Sequence, residues 1–219
     1  MSGTSTADIV VLASGEGTNL QALIDAGRSG TLGARIAAVL SDRPAARALE
    51  RARAAGIEAR FIGRAQFPDR AAYESALAGA IAAEAPAAVV LAGFMRVLSA
   101  DFVRRFEGRM LNLHPSLLPK FKGLDTHARV LAAGDAWHGA TVHFVTEELD
   151  AGPAVLQYRL RVRSGDTPGS LAERVHAGEH LILPQAAGWL AAGRLQLRAA
   201  AAWLDGRRLE EPVVREAEE

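Results

Sequence analysis

Asn112 and His114 stand two residues apart in the strand-like run from Arg109 to His114, so both side chains point to the same side of a sheet. Pro115 ends that strand directly after the imidazole, at the carboxyl edge where open α/β sheets bind ligands. An amide able to donate to a developing oxyanion, next to a group that serves as base or acid, suits acyl transfer. The same pair could also be a buried polar couple satisfied by loop carbonyls. Asp150 closes the acidic turn Thr146-Glu-Glu-Leu-Asp150 and precedes Ala151-Gly152-Pro153; it is either an ordinary turn aspartate or a catalytic carboxylate. Glu147 and Glu148 read as a solvated turn.

Ser14-Gly15-Glu16-Gly17-Thr18-Asn19 follows a short apolar run and opens a helix, where free N–H groups and the helix dipole favour an anion. The alternative is a tight βα turn that needs glycine for positive φ, with Thr18 or Asn19 capping the helix. Leu20 occupies the third glycine position of a dinucleotide fingerprint, and the lysine of a nucleoside-triphosphate loop is absent, so the segment suits a phosphomonoester rather than NAD or ATP. His176 and His180 are four apart on a helical segment, but no glutamate follows the first as a zincin motif requires, and no metal is expected. Glu179 either reaches a ligand's hydroxyl or amine or faces solvent. His138 and His143 lie in a strand and read as structural.

The elements that would position these residues alternate. Asp8–Ala13, Ala34–Leu40, Ile57–Ile62 and Ala87–Ala92 are strand-like, with helical spacing after Gly17 and over Pro44–Ala55 and Pro68–Ala83. His138–Val145 and Ala154–Val162 look like paired strands, and Pro168–Ala192 like a long helix capped by Asp166 or Thr167. Leu195–Leu209 reads as a hairpin closing the sheet edge. The fold class expected is α/β, a Rossmann-like, mostly parallel sheet with helices on both faces and an antiparallel addition in the C-terminal half. One domain over 1–219 is expected, with a phosphate-binding half (1–110), a catalytic half (111–209) and a flexible tail (210–219).

Composition narrows the function. Lys plus Arg equals Asp plus Glu at 25 each, so no excess positive charge is available to hold a nucleic acid. No cysteine is present, which fits a reducing cytoplasm and excludes thiolate chemistry. The first residues lack a basic start and a long apolar stretch, and no later run could span a bilayer, so a cytoplasmic protein without membrane partners is expected.

Taken together, Val10–Leu20, Val90–Leu98, Asn112–Pro119, His138–Asp150 and Ala201–Arg207 resemble the phosphoribosylglycinamide formyltransferase family over nearly the whole chain. The resemblance implies transfer of a formyl group from 10-formyltetrahydrofolate, as co-substrate, to the amine of 5′-phosphoribosylglycinamide in purine synthesis, with no metal. It assigns Asn112, His114 and Asp150 to catalysis, and Gly15, Gly17, Thr18, Asn19 and Glu179 to the ribonucleotide. Arg96, Val97 and Leu98, with Asn112, Thr146, Glu147 and Asp150, would line the folate pocket. Lys120–His127 would belong to a mobile loop. Ala151 stands where the family often has glycine, which bears on the turn's backbone angles. Small molecules are the expected partners, and a homodimer is left open. Formyltetrahydrofolate deformylase, with an extra amino-terminal domain, and methionyl-tRNA formyltransferase, with an extra carboxyl-terminal one, are the nearest alternatives. A catalytically silent folate or nucleotide-binding module is the alternative of another class.

Overall fold

The strand after Thr6 sets the pattern of the molecule. In β1 (Ala7–Leu12), Ile9 and Val11 face one side and Val10 and Leu12 the other, all fully buried. A strand apolar on both faces requires cover on both sides. The computed structural model, which describes residues 6–217, supplies that cover with two layers of helices. On one side pack α1 (Thr18–Arg28), α2 (Arg47–Ala54), α5 (Thr126–Ala133) and α6 (Pro168–Ala191). On the other pack α3 (Arg70–Ala82) and α4 (Ala100–Arg105).

The remaining strands of the central sheet are β2 (Ala34–Ser41), β3 (Glu58–Phe61), β4 (Ala88–Leu91), β5 (Met110–His114), β6 (Trp137–Phe144) and β7 (Ala154–Arg161). Their order, including a last strand β11 (Val213–Glu216), is β11-β7-β6-β5-β4-β1-β2-β3. Only β6 runs against its neighbours; every other pairing is parallel. The chain reverses its direction of travel across the sheet between β1 and β4, which opens a crevice at their carboxyl ends. There the Ser14 N–H donates to the Gly93 carbonyl at 3.1 Å.

The starts of α3 and α6 carry side-chain caps. Asp69 Oδ1 accepts from the Ala72 N–H at 2.7 Å, and Thr167 Oγ1 accepts from the Ser170 N–H at 3.2 Å. Three expectations need correction. Leu195–Leu209 does not close the central sheet: β8 (Leu195–Arg198), β9 (Ala201–Leu204) and the short β10 (Arg207–Arg208) form a separate three-stranded sheet. The expected tail contains β11, which pairs in parallel with β7 and provides the edge strand; Val213 and Val214 give it β propensity. Residues 218–219 of that tail, like 1–5, lie outside the described residues. The loop expected over Lys120–His127 ends early: Thr126 and His127 already belong to α5, which runs to Ala133 and is ended by Gly134 at φ 66°.

Candidate active site

β5 brings Asn112 and His114 to the carboxyl edge as their spacing requires, and the turn after β6 returns Asp150 over them. The Asp150 carboxylate lies 3.3 Å (Oδ2) from His114 Nδ1, both side chains being 6% exposed. The positive φ of this turn falls on Asp150 itself (49°), not on Ala151, so alanine costs the turn nothing. Asp150 Oδ2 also accepts from the Gly123 N–H at 3.0 Å. His114 Nε2 lies 2.9 Å from the Phe121 carbonyl, to which it donates. The segment after the histidine, 120–127, therefore holds both members of the pair.

His143 completes the group. Its Nδ1–H donates to the Phe144 carbonyl at 2.9 Å, which leaves Nε2 as an acceptor for Asn112 Nδ2 at 3.1 Å. Burial keeps this imidazole neutral, its pKa pushed down from 6.5 to about 4, and so able to accept. One Asn112 N–H is thereby fixed and the other is free to face a ligand. Its strand position alone suggests a structural role; opposite Asn112 in the β5–β6 register, His143 also orients the amide.

These side chains open onto a cleft of about 600 Å³, lined also by Arg96, Val97, Leu98, Thr146 and Glu147. Met95, Val97, Leu124 and Leu149, each large, apolar and more than half exposed, line the same cleft. Such a wall suits a flat heterocycle. Glu147 stands at its mouth, exposed and paired with Arg104 at 2.6 Å.

The glycine loop and Glu179 do not line that cleft; they form a second feature at the end of β1. Gly17, at φ 72°, is the N-cap of α1, and neither Thr18 nor Asn19 caps it: no side chain caps the first turn, so its N–H groups and the positive helix end stay available. A side chain at Gly17 would place Cβ 2.7 Å from Ala48 Cα, so only glycine fits. Gly15 is tied to α2 through its carbonyl, which accepts from the Ala48 N–H at 3.1 Å. Asn19 instead turns toward α6, where its Nδ2 donates to the buried Glu179 carboxylate at 2.9 Å, while its Oδ1 is buried without a partner. Glu179 therefore faces the loop rather than solvent. His176 approaches Glu179 at 4.0 Å, and among the described residues no cluster of three or more His, Asp or Glu side chains could hold a metal.

Sequence reasoning missed Asp42, buried at the carboxyl end of β2, where its Oδ1 accepts from Ser14 and its Oδ2 from Arg96. An acid just past a parallel strand was the available signal.

An imidazole, a carboxylate and an amide meet at the rim of this sheet, a set of groups suited to moving an acyl group. The chain belongs to the formyl transferase family, whose profile matches residues 7–187. Within that family it is 50% identical to phosphoribosylglycinamide formyltransferase of Escherichia coli over 92% of this chain and 95% of that protein. It is 44% identical to the human trifunctional purine biosynthetic protein adenosine-3, over 87% of this chain and 19% of that longer protein. Among solved structures, the phosphoribosylglycinamide formyltransferase of Coxiella burnetii superposes with a TM-score of 0.92 at 48% identity, covering 96% of this chain and 99% of that one. A formyltetrahydrofolate deformylase from Pseudomonas putida superposes with a TM-score of 0.83 at 28% identity, covering 93% and 72%. Among the described residues no helix is long and apolar enough to cross a membrane.

Proposed function

We propose that the chain transfers a formyl group from 10-formyltetrahydrofolate to the amine of 5′-phosphoribosylglycinamide, a step of purine biosynthesis, with Asn112, His114 and Asp150 as its catalytic residues. The observation that carries this reading is the 3.3 Å approach of Asp150 to His114 beside Asn112. In this reading the folate lies in the apolar cleft against Arg96, Val97, Leu98, Thr146 and Glu147. The ribonucleotide's phosphate lies on the N–H groups of Gly15, Gly17, Thr18 and Asn19, with Asn19 Oδ1 and Glu179 left to accept from its hydroxyls or amine. Both partners are small molecules, and the setting that suits them is the cytoplasm.

The reaction joins the amine nitrogen to the formyl carbon, moves the carbonyl electrons onto oxygen, and then breaks the bond from that carbon to the folate nitrogen. The free N–H of Asn112 donates to the oxygen as it becomes negative, and the positive charge of a protonated His114 beside it adds to that stabilisation. Both ring nitrogens of His114 face acceptors, the Phe121 carbonyl and the Asp150 carboxylate, which suits a ring carrying hydrogens on both. Asp150 holds that cation in place and takes up the proton that the attacking nitrogen loses. Asp150 gives up that proton again and it ends on the departing folate nitrogen, so the one proton lost by the amine is the one the folate gains.

The test is to mix the protein with phosphoribosylglycinamide and the formylated folate and follow deformylated folate with and without the ribonucleotide. Ribonucleotide-dependent turnover is expected. Turnover that ignores the ribonucleotide would mark a deformylase, and none at all a silent binding module.

A further inference from the structure

Asp42 follows β2 directly, and its side chain is 4% exposed. A carboxylate so far from water needs donors. It takes them from two other strand ends: Ser14 Oγ–H donates to Oδ1 at 2.5 Å, and Arg96 Nε–H to Oδ2 at 2.7 Å. Ser14 Oγ in turn accepts the Met95 N–H at 2.9 Å. The Arg96 guanidinium lies over the Tyr73 ring, 5.5 Å from its centroid, which fixes its other face. One buried carboxylate thus ties the end of β1, where the glycine loop begins, to the segment 95–98 that walls the cleft. Asp42 itself does not line the cleft.

We propose that Asp42 is a positioning residue for the formyl donor, setting the backbone at Met95 and the side chain of Arg96 through Ser14 and its own carboxylate. This rests on the reading of the cleft as the folate site. An exposed ion pair would matter little, but here one partner is buried, and removing it frees Arg96 and leaves the Ser14 hydroxyl without its acceptor. The wall of one substrate's site would loosen, while the glycine loop keeps Gly17 against Ala48 and Asn19 on Glu179.

The test compares Asp42→Ala and Ser14→Ala with the unaltered protein by KM for each substrate, by calorimetric Kd for tetrahydrofolate and by thermal melting. Asp42→Ala should raise the donor KM and the tetrahydrofolate Kd about tenfold, with the ribonucleotide KM within about twofold. Ser14→Ala should weaken tetrahydrofolate severalfold. A folded Asp42→Ala with unchanged donor KM and Kd would overturn the proposal, as would equal rises for both substrates. Should Asp42→Ala not fold, an unchanged tetrahydrofolate Kd in Ser14→Ala would do the same. If the unaltered protein binds tetrahydrofolate but formylates no ribonucleotide, the functional reading fails while the Kd comparison still decides this one.

Discussion

Asp150→Asn separates charge from shape at the reacting centre. Asn tolerates the left-handed backbone that Asp150 adopts at φ 49°, and its amide oxygen can still accept from the Gly123 N–H, so the turn should stay as it is. What disappears is a negative charge 3.3 Å from His114 Nδ1, in a pair that is 6% exposed on each side. At an effective dielectric of about 20, two unit charges at that distance attract by about 5 kcal/mol. The amide dipole keeps part of this, so a loss of about 3–4 kcal/mol of transition-state stabilisation is expected, roughly 10²–10³ in kcat. Single-turnover kinetics with saturating ribonucleotide would read it, and calorimetry should find the ribonucleotide Kd unchanged, because Asp150 lies apart from Gly17, Asn19 and Glu179. A kcat within about fivefold of the unaltered enzyme would refute the charge argument.

Other perturbations test the remaining parts of the site. Asn112→Ala removes the proposed oxyanion donor and should lower kcat about 10²–10³-fold in the same assay. Gly17→Ala puts a Cβ 2.7 Å from Ala48 Cα at φ 72°, and should cost about 2 kcal/mol or more in a urea melt and weaken ribonucleotide binding. Burial lowers the pKa of both His138 and His143 from 6.5 to about 4. The unfolded chain therefore takes up these protons first as pH falls. Stability should drop between pH 6.5 and 4, by up to about 3 kcal/mol for each ring, and His138→Gln should flatten the slope of urea midpoint against pH.

That Asn112, His114 and Asp150 come together was legible in the sequence because each depends on local geometry. Asn112 and His114 share a face through the two-residue repeat of a strand, and Asp150 sits where a short turn must bring it back. Gly17 announced its positive φ through residue type. What stayed hidden depended on pairings distant in the chain. That His143 orients Asn112 follows from the antiparallel register of β5 and β6, and that Asp42 holds Arg96 follows from the order β4-β1-β2. Neither is a local property. β11 was missed because a short, partly exposed edge strand has no alternating pattern to betray it. The start of α5 at Thr126 is masked in the sequence by Pro119 and Gly123 in the loop before it.

The account stands most directly on His114. Purified His114→Ala should bind phosphoribosylglycinamide with a Kd within about twofold of the unaltered protein and turn over at least about 10³-fold more slowly. Near-normal turnover by that variant would contradict it.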